Sequence, residues 1–99
     1  MQEFFLQFQD YCKTPGVDSG EARSYAKAIE YLCDYLKISY IDANAIAQIK
    51  NAESYVKDKN SAMYKDLLEF LSNRGQKSYL SKGWIRAGLK HFFDFVAIR

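Results

Sequence analysis

Apolar side chains recur along this chain at three- and four-residue intervals, with no stretch of the period-two alternation that marks a strand. The clearest amphipath begins near Asp18 and runs to about Lys37. Ala22, Tyr25, Ile29, Leu32, Cys33 and Leu36 form its apolar stripe, while Arg23, Lys27, Glu30 and Asp34 take the opposite side. Asp18 and Glu21 supply a capping box for its start, or Ser19 caps instead. Tyr31 and Tyr35 make a second, flanking stripe. It suits either half-buried packing with wet hydroxyls or contact with a partner.

The other helical patterns are shorter. Phe4, Phe8 and Tyr11, with Phe5 and Cys12 alongside, predict a first helix from Gln2 to Cys12, stopped by Thr14-Pro15-Gly16. Asp42 is placed to cap a third helix carrying Ala45, Ile46, Ile49, Ala52 and Val56. Lys57-Asp58-Lys59-Asn60 then reads as a turn. Ser61 is placed to cap a fourth helix with Tyr64, Leu67, Leu68 and Leu71, flanked by Met63 and Phe70. Arg74-Gly75 fits its end, with glycine at the left-handed position. The last pattern, Ser81 to Ile98, carries Trp84, Ile85, Gly88, Leu89, Phe92, Phe95 and Val96, and its helix begins at Ser78 or Ser81. Gly83 costs it roughly 1 kcal/mol against alanine. Gly88 lies on the apolar side, where a missing side chain permits close approach of a neighbour. The expected fold is a compact all-α bundle of about five helices in one domain over residues 1–99.

Composition fits that expectation. At 99 residues and 48% hydrophobic, with eight Tyr, seven Phe and one Trp, the chain can fill one core without disulfides or metal. No apolar run approaches the ~20 residues of a membrane span. MQEFFLQF enters a helical pattern at once and lacks the features of a signal peptide. Cys12 and Cys33 are therefore expected to be reduced thiols, and the cytoplasm is the expected compartment.

The net charge of +2 divides unevenly. Residues 1–73 hold eight basic and eleven acidic side chains; residues 74–99 hold Arg74, Lys77, Lys82, Arg86, Lys90 and Arg99 against Asp94. An electrostatic face so oriented points to a polyanion. Positions four apart advance by roughly 40° on a helix, so Lys82, Arg86 and Lys90 are expected in one narrow band. Arg74 and Lys77 lie upstream to extend it, and Gln76, Ser78 and Ser81 add uncharged phosphate donors. Phe93 falls at the edge of the band, packed inward or partly exposed. Four neutralised phosphates would give a log–log salt slope of roughly −3.6 on duplex DNA. Arg86 is the candidate base reader, since arginine bonds guanine bidentately. The competing account is an ordinary solvated face balanced by carboxylates on neighbouring helices.

Catalysis finds little support. His91 is the single histidine, expected on the polar side of the last helix, so no multi-histidine metal site can be built. The carboxylates are scattered, with no metal-dependent nuclease constellation, phosphate loop or nucleophile elbow. No cofactor, metal or small-molecule ligand is indicated, and the chain alone reads as a non-enzyme.

SYAKAIEYLCDYL (Ser24 to Leu36), Ile41-Asp42-Ala43-Asn44-Ala45-Ile46, and the closing Ala87-Gly88-Leu89-Lys90-His91-Phe92-Phe93-Asp94-Phe95-Val96 together resemble two families. One is the helical N-terminal domain of restriction endonucleases that precedes HNH-type or related nuclease modules. The other is the SAM-like core-binding domain of tyrosine recombinases. The stretch from Asn60 to Leu80 looks more like the restriction-enzyme version, and GQKSYLSKGWI departs from the recombinase lead-in. Either resemblance implies a SAM-like, orthogonal bundle that grips double-stranded DNA beside a downstream catalytic module, as the N-terminal part of a longer protein. A third reading is a protein-interaction or dimerisation module, motivated by Tyr31, Tyr35 and the abundant aromatics.

Overall fold

The computed structural model describes residues 2–13 and 16–98. Within them the chain forms α1 (Gln2–Lys13), α2 (Ser19–Leu36), α3 (Ala43–Val56), α4 (Ala62–Ser72), α5 (Ser78–Ser81) and α6 (Trp84–Ala97), and no strand. The all-α bundle is as expected. The difference lies in the last helical pattern, which forms two helices rather than one. Of the stop signal after α1, Thr14 and Pro15 lie outside the described residues. Gly16 has a φ of 89°.

Three of the caps are made by the side chains nominated for them. Asp18 accepts the amides of Gly20 and Glu21 at 2.8 and 3.0 Å, which decides for Asp18 over Ser19. Asp42 accepts Ala45 N–H at 2.8 Å, and Ser61 accepts Tyr64 N–H at 3.0 Å. Each satisfies a donor that the first helical turn would leave open.

Two helices end in the same closed turn with different residues. After α4, Gly75 takes φ 70°, its amide donates to Ser72 and the Gln76 amide donates to Leu71. After α2, Lys37 takes φ 59°, its amide donates to Asp34 and the Ile38 amide donates to Cys33. Both are Schellman closures. The second holds a lysine where glycine would be relaxed, and buries Ile38 beneath the turn.

The long α2 is the centre of the bundle, packing against α1, α4 and α6. Its predicted stripe is buried or half-buried throughout, with Ile29, Leu32 and Cys33 fully enclosed. Against it and each other, α1 and α6 join through aromatic rings: Phe8 meets Phe92 edge-on at 5.8 Å, and Phe4 meets Phe95 at 5.6 Å. Such offset contacts suit the ring quadrupole. Gly88 of α6 sits directly on α2, as its position on the apolar side suggested.

The Tyr31 and Tyr35 stripe packs half-buried against α5 and α4. Tyr31 meets Tyr79 of α5 edge-on at 4.9 Å, and Tyr35 meets Phe70 of α4 at 5.4 Å. The Tyr35 hydroxyl donates to Asp66 of α4 at 2.7 Å. Ala28, on the same side of α2, is fully buried beneath this seam. Of the two accounts of this flanking stripe, half-buried packing is the one the structure shows, and α2 is covered on two sides.

Candidate nucleic-acid interface

Gly83 decides the geometry of the basic region. It adopts φ 82°, donates its amide to the Leu80 carbonyl at 3.1 Å, and separates α5 from α6. A residue with a Cβ reaches that conformation only with strain. Lys82 consequently caps the C-terminus of α5, whereas Arg86 and Lys90 stand one turn apart on α6. The continuous row of Lys82, Arg86 and Lys90 expected on a single helix does not form.

A cleft brings Lys82 and Arg86 together instead. It has a volume of about 220 Å³ and lies where the turn after α3 meets the α5–α6 junction. Lys57 and Lys59 line it from the turn, and Ser81, Lys82, Gly83 and Arg86 from the junction. Its apolar lining is Val56, Tyr64 and Leu80, each buried. Four cations from two distant stretches thus surround one concavity, and among the described residues no carboxylate belongs to its lining.

The neighbouring carboxylates are engaged elsewhere. Asp58 accepts the Asn60 amide at 2.9 Å within its own turn. Glu53 bonds Lys50 at 3.1 Å and Lys57 at 3.3 Å. Burial works to raise the Glu53 carboxyl, but the bonds from both lysines outweigh it and hold the group below its ordinary range. Among the described residues, Lys59, Lys82, Arg86 and Lys90 take part in no ion pair. Among the described residues, direct pairing with a carboxylate therefore reaches Lys57 and not the other three cations of the cleft, although Asp58, bonded to a neutral amide, keeps its charge between Lys57 and Lys59.

The remaining nominated residues separate. Lys90 is exposed on α6, one turn beyond Arg86. Lys50 of α3 lies 4.5 Å above the ring of Phe93, which is half-buried at the α3–α6 contact. Arg74 holds its guanidinium 4.2 Å over Phe70, the ring that packs on Tyr35, and so belongs to the α2–α4 seam. Lys77 is exposed at the start of α5. Sequence periodicity missed Lys57 and Lys59 because a turn has no helical phase, and no spacing shows which junction it will face.

His91 is half-buried rather than solvated, stacked on Tyr25 at 4.8 Å. Cys12 and Cys33 are both free and fully buried. Burial raises their thiols to about 11 and about 12, with the Asp34 and Glu30 charges adding to the rise at Cys33. Among the described residues no group of three His, Cys, Asp or Glu side chains is placed to hold a metal ion, and no helix is long and apolar enough to cross a membrane.

No protein-family model, curated protein or solved structure matches the chain.

Proposed function

We propose that this chain is a non-catalytic domain that binds double-stranded DNA through the face formed by the turn after α3, the α5–α6 junction and the first two turns of α6. The observation that carries the reading is the convergence of Lys59, Lys82 and Arg86, none of them ion-paired among the described residues, on one cleft, with Lys90 exposed beside them. Unbalanced cations drawn from separate parts of a chain favour a polyanion, because binding releases the counterions condensed on it. Arg86 is the base reader in this proposal, and the lysines contact phosphates.

The resemblance in Ser24–Leu36, Ile41–Ile46 and Ala87–Val96 supports a finer reading: the DNA-gripping domain of a restriction-type nuclease, working with a downstream catalytic module. The core-binding domain of a tyrosine recombinase is the alternative from the same resemblance. Of the two features behind the interaction-module reading, the Tyr31 and Tyr35 stripe is half-buried against α5 and α4, while the abundance of aromatics stands, with Tyr40 and Tyr55 exposed. Two free thiols accord with a cytoplasmic setting.

Fluorescence anisotropy with a random duplex tests the proposal. Binding is expected at low salt, with a log–log slope of roughly −3.6 for four phosphate contacts. Replacement of Lys82, Arg86 and Lys90 by glutamate is expected to abolish it. A native chain that fails to bind duplex at low salt overturns the proposal.

A further inference from the structure

The cleft itself has a more specific chemistry than a basic surface. Its volume of about 220 Å³ is well above the ~30 Å³ share of one water and below the ~300–1,000 Å³ of small-molecule pockets. It therefore has ample room for a phosphate group. Lys59, Lys82 and Arg86 bring unpaired positive charge to it, and Lys57 brings a charge shared with Glu53. The buried Val56, Tyr64 and Leu80 form a low-dielectric wall, against which charge–charge attraction is stronger than in open water.

Two further donors point the same way. Ser81, which carries a hydroxyl, belongs to the lining. The cleft also lies at the N-terminal end of α6, where Gly83 provides no side-chain cap and the ladder starts only with the Ala87 amide bonded to Gly83. The amides of the first turn therefore keep donor capacity, and the helix dipole adds positive potential there.

We propose that this cleft seats a single phosphate group, held by Lys59, Lys82 and Arg86 with Ser81 and the start of α6. In its DNA form the proposal rests on the reading above: one backbone phosphate enters the cleft and fixes the position of α6 on the duplex. The same chemistry would accept a free phosphorylated ligand, and the experiment separates the two.

Inorganic pyrophosphate is titrated into isotope-labelled native protein and followed by amide NMR shifts, with acetate at matched ionic strength as control. Saturable shifts at Ser81, Lys82, Gly83 and Arg86 are expected, together with a rise in melting temperature, because a ligand that binds only the folded state stabilises it. Both effects should vanish in a Lys82→Ala/Arg86→Ala double variant, whose altered side chains are exposed and whose fold is checked by circular dichroism. Shifts spread over all the lysines, or no saturation, would overturn the phosphate seat even if duplex still binds. Competition then identifies the source. Pyrophosphate that displaces duplex supports a backbone phosphate. Saturable pyrophosphate binding without any duplex binding overturns the DNA form and the DNA-binding reading together, leaving a site for a free phosphorylated ligand.

Discussion

Gly88 of α6 faces the carbonyl of Tyr25 on α2 so closely that a Cβ at Gly88 would stand 3.1 Å from that oxygen and 3.3 Å from Ile29 Cδ1. One of the two atoms in the way is backbone, which has little freedom to move in the middle of a helix. Alanine there gains roughly 1 kcal/mol of helix propensity and spends much of it on this contact. Gly88→Ala is expected to leave stability within about 1 kcal/mol, whereas Gly88→Leu should lose about 3 kcal/mol by overpacking. Urea melts read both, and a Gly88→Leu chain as stable as the native one would show that α2 and α6 are not held this closely.

Lys37 performs the role that Gly75 performs after α4, but with a Cβ in a left-handed conformation at φ 59°. Such a conformation costs a non-glycine residue about 1–2 kcal/mol, and glycine returns part of that as unfolded-state entropy. Lys37→Gly is therefore expected to stabilise the chain by about 0.5–1 kcal/mol, as a higher urea midpoint at unchanged slope. Gly75→Ala should act in the opposite direction by a similar amount. No gain from Lys37→Gly would mean that the lysine is not strained.

These two turns mark where the sequence was legible. Gly75 announced its helix end because only glycine relaxes at that position, and Asp18, Asp42 and Ser61 announced three starts through cap chemistry. The end of α2 fell near Lys37 by loss of periodicity alone, since lysine carries no turn signal. The apolar stripes of α1 to α4 and α6 carried the core in the same direct way. The candidate site was harder to see. An uninterrupted helix puts Lys82 in phase with Arg86, and one left-handed glycine removes that phase. Lys57 and Lys59 join the site only through tertiary contact, about which spacing within a turn says nothing.

Cys12 and Cys33 supply a test of core integrity through pH. Their thiols are pushed up to about 11 and about 12 in the folded chain. In the unfolded chain they ionise nearer 8.5. Between those values the unfolded state has released protons that the native state still binds, so stability falls as pH rises above about 9, by up to ~1.4 kcal/mol per pH unit for each thiol. Below pH 8 the two states bind these protons alike and the effect is absent. Cys33→Ala should flatten the alkaline slope even though its stability at pH 7 is lower. Native protein is expected to react with a thiol reagent at pH 8 only as fast as it unfolds, and fast labelling of either thiol would contradict the buried placement.

Arg74 and Arg86 have different surroundings. Arg74 lies over Phe70, an exposed cation–π contact of about 0.5–1 kcal/mol. Arg86 has no such partner and lines the cleft. Arg74→Ala is expected to lower stability by that small amount with less than a twofold change in duplex affinity. Arg86→Ala should leave stability nearly unchanged, weaken duplex binding at least tenfold, and reduce the magnitude of the salt slope by about 0.9. Equal effects of the two substitutions on binding would return Arg74 to the interface.

Glu53 is the carboxylate that restrains this face, because it draws both Lys50 and Lys57 onto itself at 3.1 and 3.3 Å. Its carboxyl is held below the ordinary range, so the pairing contributes above the unfolded-state pKa and is lost as pH falls through the folded one. Both lysines are exposed, so the two bonds together are worth only about 0.5–1 kcal/mol. Glu53→Gln removes one negative charge while keeping the shape of the side chain. Lys57 is then free to point its full charge at the cleft it already lines. The expected result is a small loss of stability, tighter binding of both pyrophosphate and duplex, and a salt slope larger in magnitude by up to about 0.9. Weaker binding in Glu53→Gln would mean that Glu53 positions Lys57 for the anion rather than competing with it. Isothermal titration of native and variant chains at two salt concentrations distinguishes the outcomes.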